Sequence, residues 1–247
     1  SKKEIIAKLY SLVEKTILEE YKISKKPVGV LFSGGIDSTF IAQVLKKNNC
    51  DFVCFVVGLD KSKDIDWAER IASALNLKLV KKIYSLEEFE RVLKKTAPLF
   101  KEGGISGYVK VSVGSVLYAC LETGKKFGID SFYTGLGSEE IFAGYHKHKE
   151  KANNLLALNK ECWDGLTKVY DKDISRDQTI AQLFNVKLIC PYLNKELMQY
   201  ALTIDPKLKI DTIETKLILR ECAEYFGIPK EFAFRKKVAA QYGSSFD

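Results

Sequence analysis

The sequence lacks the features of membrane and secreted proteins. Its longest apolar runs, such as Phe52 to Leu59, are far shorter than the roughly 20 residues that a membrane-spanning helix needs. Charged residues occur throughout the first turns of the chain, so the apolar core of a signal peptide is missing. These absences predict a cytoplasmic protein without a membrane partner.

The residues that build metal centres are also few. The only histidines are His146 and His148, which excludes a histidine-rich zinc site, and we predict that both lie in a solvated loop. Without a secretory signal, we interpret the cysteines as reduced thiols, buried like small apolar side chains. An iron–sulfur cluster built from distant cysteines is the alternative. No C-x-x-C pair occurs among the six cysteines: Cys50, Cys54, Cys120, Cys162, Cys190 and Cys222.

Arginine is scarce, and the formal net charge of +7 comes from lysine. A mild positive excess suits an anionic ligand such as a nucleotide, although a solvated surface of lysine and glutamate has the same composition. Arginine clusters with interleaved aromatic side chains, which are typical of RNA-binding segments, are absent. The composition therefore disfavours a nucleic acid partner and leaves that alternative open.

Apolar runs alternate with amphipathic helical patterns over residues 1–145 of the 247-residue chain. Strands are predicted at 28–32, 52–57, 77–83 and 131–134, and a glycine-bearing loop at 103–107 precedes a helix at 115–127. This alternation predicts an α/β fold with a parallel, doubly wound sheet. Residues 146–247 are predicted to be mainly helical, with no strand. No flexible linker separates the two halves, so we predict a single domain over 1–247.

Helix N-termini are marked by three capping signals. Ser85 with Glu88 forms a capping box, Asn194 can cap a short helix, and Asp211 with Glu214 is predicted to open a helix that ends near Tyr225.

The sharpest motif is Ser33-Gly34-Gly35-Ile36-Asp37-Ser38, between a predicted strand and a helix. Glycines let the backbone approach a ligand, and the first N–H groups of a helix bind anions. The hydroxyls of Ser33 and Ser38 add donors, and Asp37 can hold magnesium against phosphate oxygens. The GxxxxGK[ST] and GxGxxG patterns are both absent. A plain strand-to-helix turn is the alternative.

This segment resembles the PP-loop of enzymes that split ATP into AMP and pyrophosphate. In that family the loop holds the pyrophosphate portion of ATP while the α-phosphate is transferred to a substrate oxygen. The resemblance implies a fold of the PP-loop ATP pyrophosphatase type, with ATP and magnesium as cofactors. It also implies nucleotide contacts from Ser33, Gly34, Gly35, Asp37 and Ser38.

A second segment, from Thr134 to Tyr145, reads TGLGSEEIFAGY and resembles SGEGSDELFGGY of the asparagine synthetases and related β-lactam synthetases. Glu139 falls where the family has its second magnesium-binding aspartate, so the resemblance implies that Asp37 and Glu139 bind the metal. Taken alone, Glu139 equally suits an acidic helix N-terminus. Val57 and Gly135 stand where the family contacts adenine through the backbone.

A third segment, from Glu214 to Cys222, resembles the family's K-x-x-L-R helix, and Phe234 to Lys237 resembles its R-x-K segment. The resemblance implies that Lys216 neutralises phosphate charge during the reaction. The catalytic residues would then be Lys216, Asp37 and Glu139. Because Lys216 and Arg220 are four residues apart, we predict that they share one helix face, either solvated or directed at an anion.

The chain departs from the family on the side of the second substrate. Leu136 stands where asparagine synthetases carry a glutamate thought to assist ammonia attack, and leucine cannot move a proton. Lys187, Ile189 and Asn194 replace a glutamate, an arginine and an aspartate that the resemblance places around the acceptor. The identity of the acceptor is therefore open.

The resemblance implies an ATP-dependent, AMP-forming amide ligase of asparagine biosynthesis. It would adenylate a carboxylate, aspartate or a related acid, for attack by ammonia, and would release AMP and pyrophosphate. Two other functions are the alternatives. One is a PP-loop enzyme that adenylates a tRNA base, and the other is a non-catalytic nucleotide-binding subunit.

Glutamine-using relatives carry an N-terminal hydrolase domain with a catalytic cysteine at its first residue. Here the first residue is Ser1 and the first cysteine is Cys50, so we expect no glutaminase domain in these residues. Ammonia would then come from solution or from a separate glutaminase subunit. A homo-oligomer is the other expected assembly.

Overall fold

A five-stranded sheet forms the centre of the molecule. The computed structural model describes residues 1–100, 104–236 and 240–246, with side chains for all of these except 104–106, 240 and 241. The strand order is β3-β2-β1-β4-β5, and every neighbouring pair is parallel. The predicted parallel, doubly wound α/β sheet is confirmed. The strands are β1 (Val28–Leu31), β2 (Phe52–Gly58), β3 (Leu79–Ile83), β4 (Ser131–Tyr133) and β5 (Lys187–Ile189).

Helices cover both faces of this sheet. A π-helical turn joins two of them at Tyr170–Ile174, and short 3-10 turns occur at Ala97–Leu99, Pro191–Leu193 and Pro206–Leu208. The α-helices are α1 (Lys2–Ile23), α2 (Ile36–Lys47), α3 (Lys63–Ala74), α4 (Leu86–Thr96), α5 (Gly104–Lys125), α6 (Ser138–Ile141), α7 (His146–Lys149), α8 (Leu155–Val169), α9 (Ser175–Phe184), α10 (Lys195–Thr203), α11 (Leu217–Tyr225), α12 (Lys230–Ala233) and α13 (Ala240–Ser244). None of the helices in the described ranges is long and apolar enough to span a bilayer.

The sheet separates two apolar cores. Successive side chains of a strand point to opposite faces, so the apolar run of β2 supplies both cores. Cys54 and Val56 pack with α1, α2, α3 and α11 on one face. Val53, Phe55 and Val57 pack with α4, α5 and α9 on the other face. This double burial explains why β2 reads as a continuous apolar segment.

The strand order creates a crevice beside β1. The chain passes from β1 to β2 on one side and later returns to place β4 on the other side of β1. In open α/β sheets, ligands bind at such a switch point, outside the carboxyl ends of the strands. The loop after β1 begins the SGGxDS motif, and the loop after β4 begins the TGLGSEE motif. Both motifs therefore reach the same edge of the sheet.

Three predictions about secondary structure are wrong. The second half of the chain does contain a strand, β5, which pairs with β4. With three residues it is too short for a periodic pattern, and its pairing depends on a distant strand. Helix α5 begins at Gly104 rather than near residue 115, so its glycines are helical, while Gly103 lies outside the described residues. Helix α11 begins at Leu217, because Asp211 instead closes a local turn by accepting from the N–H of Glu214.

Two of the capping predictions are confirmed. Ser85 and Glu88 form the reciprocal capping box of α4. Asn194 Oδ1 accepts from the N–H groups of Glu196 and Leu197 at the start of α10.

The predicted solvated loop for the histidines is wrong, because both lie in the short helix α7. His146 is exposed, but His148 is completely buried in α7. Its Nδ1 accepts a 3.2 Å hydrogen bond from the backbone N–H of Tyr145. Burial is the main reason why the pKa of His148 falls to about 4.

Candidate functional site

The candidate site lies where the loops after β1 and β4 touch. A Cβ atom on Gly135 would stand 2.7 Å from Cβ of Asp37, so only glycine allows this approach. Gly34 and Gly137 adopt the left-handed φ angles of +68° and +94° that these two turns require. Ser38 Oγ donates to the carbonyl of Gly35 at 3.1 Å. The two motifs thus form one continuous surface.

The amino end of α2 faces this surface. Gly35 is the N-cap residue, and within the described residues no side chain caps the helix. An uncapped helix start presents N–H donors and the positive end of the helix dipole. The residues predicted to bind pyrophosphate, Ser33 to Ser38, are therefore gathered at a helix N-terminus that suits an anion.

Lys216 lies at the centre of a buried ion cluster. Its Nζ donates to both carboxylate oxygens of Asp37, at 2.7 and 2.6 Å, and to Oε1 of Glu139 at 2.8 Å. The hydroxyl of Ser138 accepts a fourth bond of 3.0 Å. These acceptors come from α2 and α6, and the lysine comes from the segment before α11. The structure therefore brings together the three residues predicted to be catalytic.

The backbone at Lys216 is held in an unusual conformation. Its φ of +55° is left-handed, and the residue is the N-cap of α11 rather than part of the helix. Gly144 must be a glycine here, because a Cβ atom would stand 2.3 Å from Cε of Lys216. Such strain persists only where the surrounding structure fixes it, and it is concentrated at functional sites.

The predicted common face of Lys216 and Arg220 is wrong. Lys216 precedes the helix and points at two carboxylates, whereas Arg220 is buried and donates to backbone carbonyls. Neither cation is solvated, and Arg220 is not aimed at an anionic ligand.

Burial shifts the pKa values of groups in and beside the cluster. Burial lowers the pKa of Lys216, and the carboxylate of Asp37 opposes this shift. Burial also raises the pKa of Tyr192, whose hydroxyl donates to the backbone carbonyl of Asp37 at 3.0 Å. Tyr192 therefore acts as a neutral donor that holds the backbone of Asp37 in place.

The two predicted metal ligands converge on one point. Asp37 and Glu139 each place an oxygen within 2.8 Å of the Nζ atom of Lys216. Magnesium in nucleotide sites takes one or two carboxylates and completes its shell with phosphate oxygens and water. Among the described residues, no group of three or more His, Cys, Asp and Glu side chains could hold a metal ion. The two carboxylates fit a magnesium ion that arrives with phosphate.

All six cysteines are free thiols.

The two residues predicted to contact adenine lie on either side of β1. Strand β1 ends at Leu31, opposite Phe55, and β2 continues past it to Gly58, with the side chain of Val57 buried in the core. Gly135 follows β4 on the other flank of β1. Their contact with adenine stays a prediction, and the crevice between them has the position it requires.

The four departures from the family lie at different distances from this site. Leu136 belongs to the loop after β4, where its N–H donates to Oγ1 of Thr134. Lys187 lies at the amino edge of the sheet, at the start of β5, and pairs with Glu20. Ile189 is buried in the core, and the side chain of Asn194 is engaged as a helix cap. Lys187 is thus remote from the nucleotide loops, whereas the carbonyl of Ile189 accepts from the N–H of Thr134, the first residue of the second motif, at 2.9 Å.

Two buried cations near the site have surroundings that the sequence does not predict. Arg235 stands in a predicted motif, but its hydrogen-bond partners lie on distant segments of the chain. Lys209 is completely buried, its Nζ has no hydrogen-bond partner among the described residues, and burial lowers its pKa to about 8. No local signal marks this lysine. Lys237, at the end of the same motif as Arg235, lies outside the described residues.

Known proteins resemble this chain over most of its length. A family model described as asparagine synthase matches residues 8–159 and 150–246. A putative glutamine-hydrolysing asparagine synthetase of Methanocaldococcus jannaschii is 31% identical over an alignment that covers 88% of this chain and 46% of the relative. The glutamine-hydrolysing asparagine synthetase B of Escherichia coli is 26% identical over an alignment that covers 89% of this chain and 42% of the relative.

The chain therefore spans less than half the length of these relatives. Among solved structures, an NMN synthetase from Francisella tularensis matches 98% of this chain and 77% of its own, with a TM-score of 0.52 and 14% sequence identity. At that identity the likeness concerns the fold alone.

Proposed function

Because the chain belongs to the asparagine synthase family, we propose that it is an AMP-forming ligase that adenylates a carboxylate and transfers ammonia to it. The observation that carries this proposal is the cluster in which Lys216 joins Asp37 and Glu139 beside the loop after β1. A protein that merely held a nucleotide would not need a buried lysine between two acids.

The chemistry explains why ATP is consumed. A carboxylate does not react with ammonia, because its carbon is a poor electrophile and an oxide ion cannot leave. Attack of the carboxylate oxygen on the α-phosphorus forms an acyl-adenylate and releases pyrophosphate. Ammonia then adds to the acyl carbon, loses a proton and expels AMP, which leaves an amide.

Each part of the site has a task in this sequence. The N–H groups at the start of α2, with the hydroxyls of Ser33 and Ser38, bind the pyrophosphate portion. Lys216 stabilises the negative charge that moves onto the phosphates in the transition state. Asp37 and Glu139 would hold magnesium, which supplies further charge neutralisation there. Leu136 cannot accept the proton that ammonia loses, so that step does not use this position.

The source of ammonia is a further part of the proposal. The two relatives described above are named as glutamine-hydrolysing, and the chain spans less than half of each. We therefore propose that ammonia arrives either from solution or from a glutaminase unit outside these residues.

Exchange of labelled pyrophosphate into ATP tests the proposal. With magnesium present, we expect exchange that depends on aspartate or another small carboxylic acid. Asp37→Asn and Lys216→Met should lower the exchange rate by about 100-fold or more, because each removes charge stabilisation from the transition state. The exposed Lys207, changed to Met, is the matched control and should exchange like the wild type.

One outcome would contradict the proposed mechanism, and two would contradict the function. Wild-type exchange in Lys216→Met would remove the lysine from the mechanism. ATP binding without exchange in the presence of any small acid, together with salt-sensitive tRNA binding, would favour the RNA-modifying alternative. ATP binding with neither property would indicate a nucleotide-binding subunit.

A further inference from the structure

Arg235 forms a buried bridge between two loops of the site. Its Nη1 donates to the backbone carbonyl of Ser33 at 2.6 Å, and its Nη2 donates to Oδ1 of Asp64 at 2.9 Å. Ser33 follows β1, whereas Asp64 lies in the first turn of α3, after β2. One guanidinium group thus ties the loop after β1 to the helix that follows the neighbouring strand.

A second arginine anchors the backbone of the first. Arg220 donates from Nη1 to the carbonyls of Ala233 and Arg235, at 2.6 and 3.1 Å, and from Nε to the carbonyl of Thr215 at 2.7 Å. Thr215 directly precedes Lys216. The two arginines therefore connect the segment that carries the cluster's lysine to the loop that carries Ser33.

The contact with Ser33 fixes the orientation of a peptide group. In a trans peptide the C=O and N–H bonds point in opposite directions. Because the carbonyl of Ser33 points at Arg235, the N–H of Gly34 points away from it. Gly34 also has a left-handed φ of +68°, and a Cβ atom there would stand 3.2 Å from Nη1 of Arg235. Arginine and glycine together thus fix how the loop presents its donors.

The charge of Arg235 is already neutralised. Its carboxylate partner Asp64 is also buried, so the pair adds little net positive potential at the loop. The planar guanidinium group reaches two acceptors on separate segments, a geometry that lysine cannot reproduce. The contribution of this residue to anion binding is therefore geometric.

We infer that Arg235 is a positioning residue for pyrophosphate: it orients the peptide after Ser33 so that the loop's N–H groups face the phosphates. Asp64 holds the guanidinium group in the plane that this task requires. The inference rests on the proposed function, since it presupposes that the loop binds the pyrophosphate portion of ATP. It predicts that substitutions here affect the phosphate subsite and leave the adenine subsite intact.

Calorimetric titration of pyrophosphate and of AMP, each with magnesium, tests this inference. Arg235→Lys keeps the charge and loses the bridge, so pyrophosphate should bind about 10-fold or more weakly while AMP binds within about 2-fold of the wild type. Arg70→Lys is the matched control, because Arg70 stacks on Trp67 at 4.2 Å, as Arg235 does at 5.2 Å, but is 57% exposed. It should change neither affinity.

Asp64→Asn separates geometry from charge. The amide keeps an acceptor for Nη2 but leaves the arginine without its counter-charge. Because that acceptor is kept, the positioning role predicts that pyrophosphate binds within about 2-fold of the wild type, whereas a direct electrostatic role predicts that it binds more tightly. This variant also serves as the test if Arg235→Lys does not fold.

The outcomes distinguish this inference from the proposed function. Three results would overturn the positioning role alone. They are wild-type affinity for pyrophosphate in Arg235→Lys, equal losses of affinity for pyrophosphate and AMP in that variant, and tighter binding of pyrophosphate in Asp64→Asn. A wild-type protein that binds neither pyrophosphate nor ATP would overturn the proposed function and the inference with it.

Discussion

His148 is a buried histidine close to the loop that carries Glu139. Its ring is neutral at physiological pH, because burial lowers its pKa to about 4 from an ordinary value of 6.5. The N–H of Tyr145 donates to its Nδ1, so the proton of the neutral ring belongs on Nε2. The imidazole therefore stabilises the backbone that follows the TGLGSEE motif.

This burial predicts acid sensitivity. Between pH 6.5 and pH 4 the unfolded chain binds a proton at His148 that the folded chain does not, so the free energy of unfolding falls as the pH drops through this window. His148→Asn retains a side-chain acceptor but cannot bind this proton. Its free energy of unfolding should therefore fall less than that of the wild type over this window, by a difference on the order of 2 kcal/mol. Urea unfolding at several pH values measures it.

His146→Asn is the control, because the only other histidine is exposed and should leave the pH dependence unchanged. An acid slope in His148→Asn equal to that of the wild type would show that other groups produce it.

At the residue scale, the sequence predicted which residues form the site better than it predicted the contacts between them. Asp37, Glu139 and Lys216 stand in local motifs, and the structure brings all three together. The contacts of Arg235 could not be predicted, because Ser33 and Asp64 are remote in sequence and no periodic pattern relates them. Burial of a lone charged residue likewise leaves no mark on its neighbours in the sequence.

Helix α13 is followed by a large, buried side chain. Phe246, just beyond its end, is buried between the rings of Tyr84 and Phe89, with centroids 5.8 and 4.4 Å away. The carbonyl of Ser244 accepts from the N–H of Leu59 at 2.9 Å. This packing fixes the end of the described chain against the end of β2.

Phe246→Ala should lower the free energy of unfolding by about 3 kcal/mol, because it removes a buried ring and leaves a cavity. The exposed Tyr242 of α13, changed to Ala, is the matched control and should cost less than about 0.5 kcal/mol. Urea unfolding of both variants compares them. Equal losses would show that α13 contributes by its backbone rather than by this anchor.

Elements with a local apolar pattern were predictable, and those that depend on distant contacts were not. Strands β1 and β2 carry uninterrupted apolar residues because they are buried on both faces, and this pattern is visible without a structure. Strand β5 has three residues, begins with an exposed lysine, and becomes a strand only through its pairing with β4. The left-handed backbone at Lys216, which delays the start of α11, also depends on tertiary contacts.

At the scale of the whole molecule, the halves predicted to meet at residue 145 share one sheet and one core. Strand β5 extends the sheet of the first half, and α1 packs against α10 and α11 of the second half. The ion cluster of Lys216, Asp37 and Glu139 crosses the same division. The cluster therefore contributes to global stability as well as to the site.

Lys216→Met should destabilise the protein by about 3–5 kcal/mol, because it removes the cation that bonds to two buried carboxylates. Magnesium should restore part of this loss in the variant and change the wild type less, since the metal can then occupy the place of the ammonium group. Urea unfolding with and without magnesium measures both effects.

The double variant Asp37→Asn/Lys216→Met carries one acid fewer in the cluster, so it should be destabilised less than Lys216→Met and should lose most of the response to magnesium. An unchanged magnesium response in the double variant would show that the ion binds elsewhere.

The separation of the site residues along the chain has a consequence for protein synthesis. Asp37 is synthesised before the lysine that bonds to it, which follows 179 residues later. A nascent chain that has formed β1 and β2 therefore displays the glycine loop without its cation and without β4 beside it. Such non-local pairing forms late in folding. A product truncated before Lys216 consequently cannot assemble the cluster.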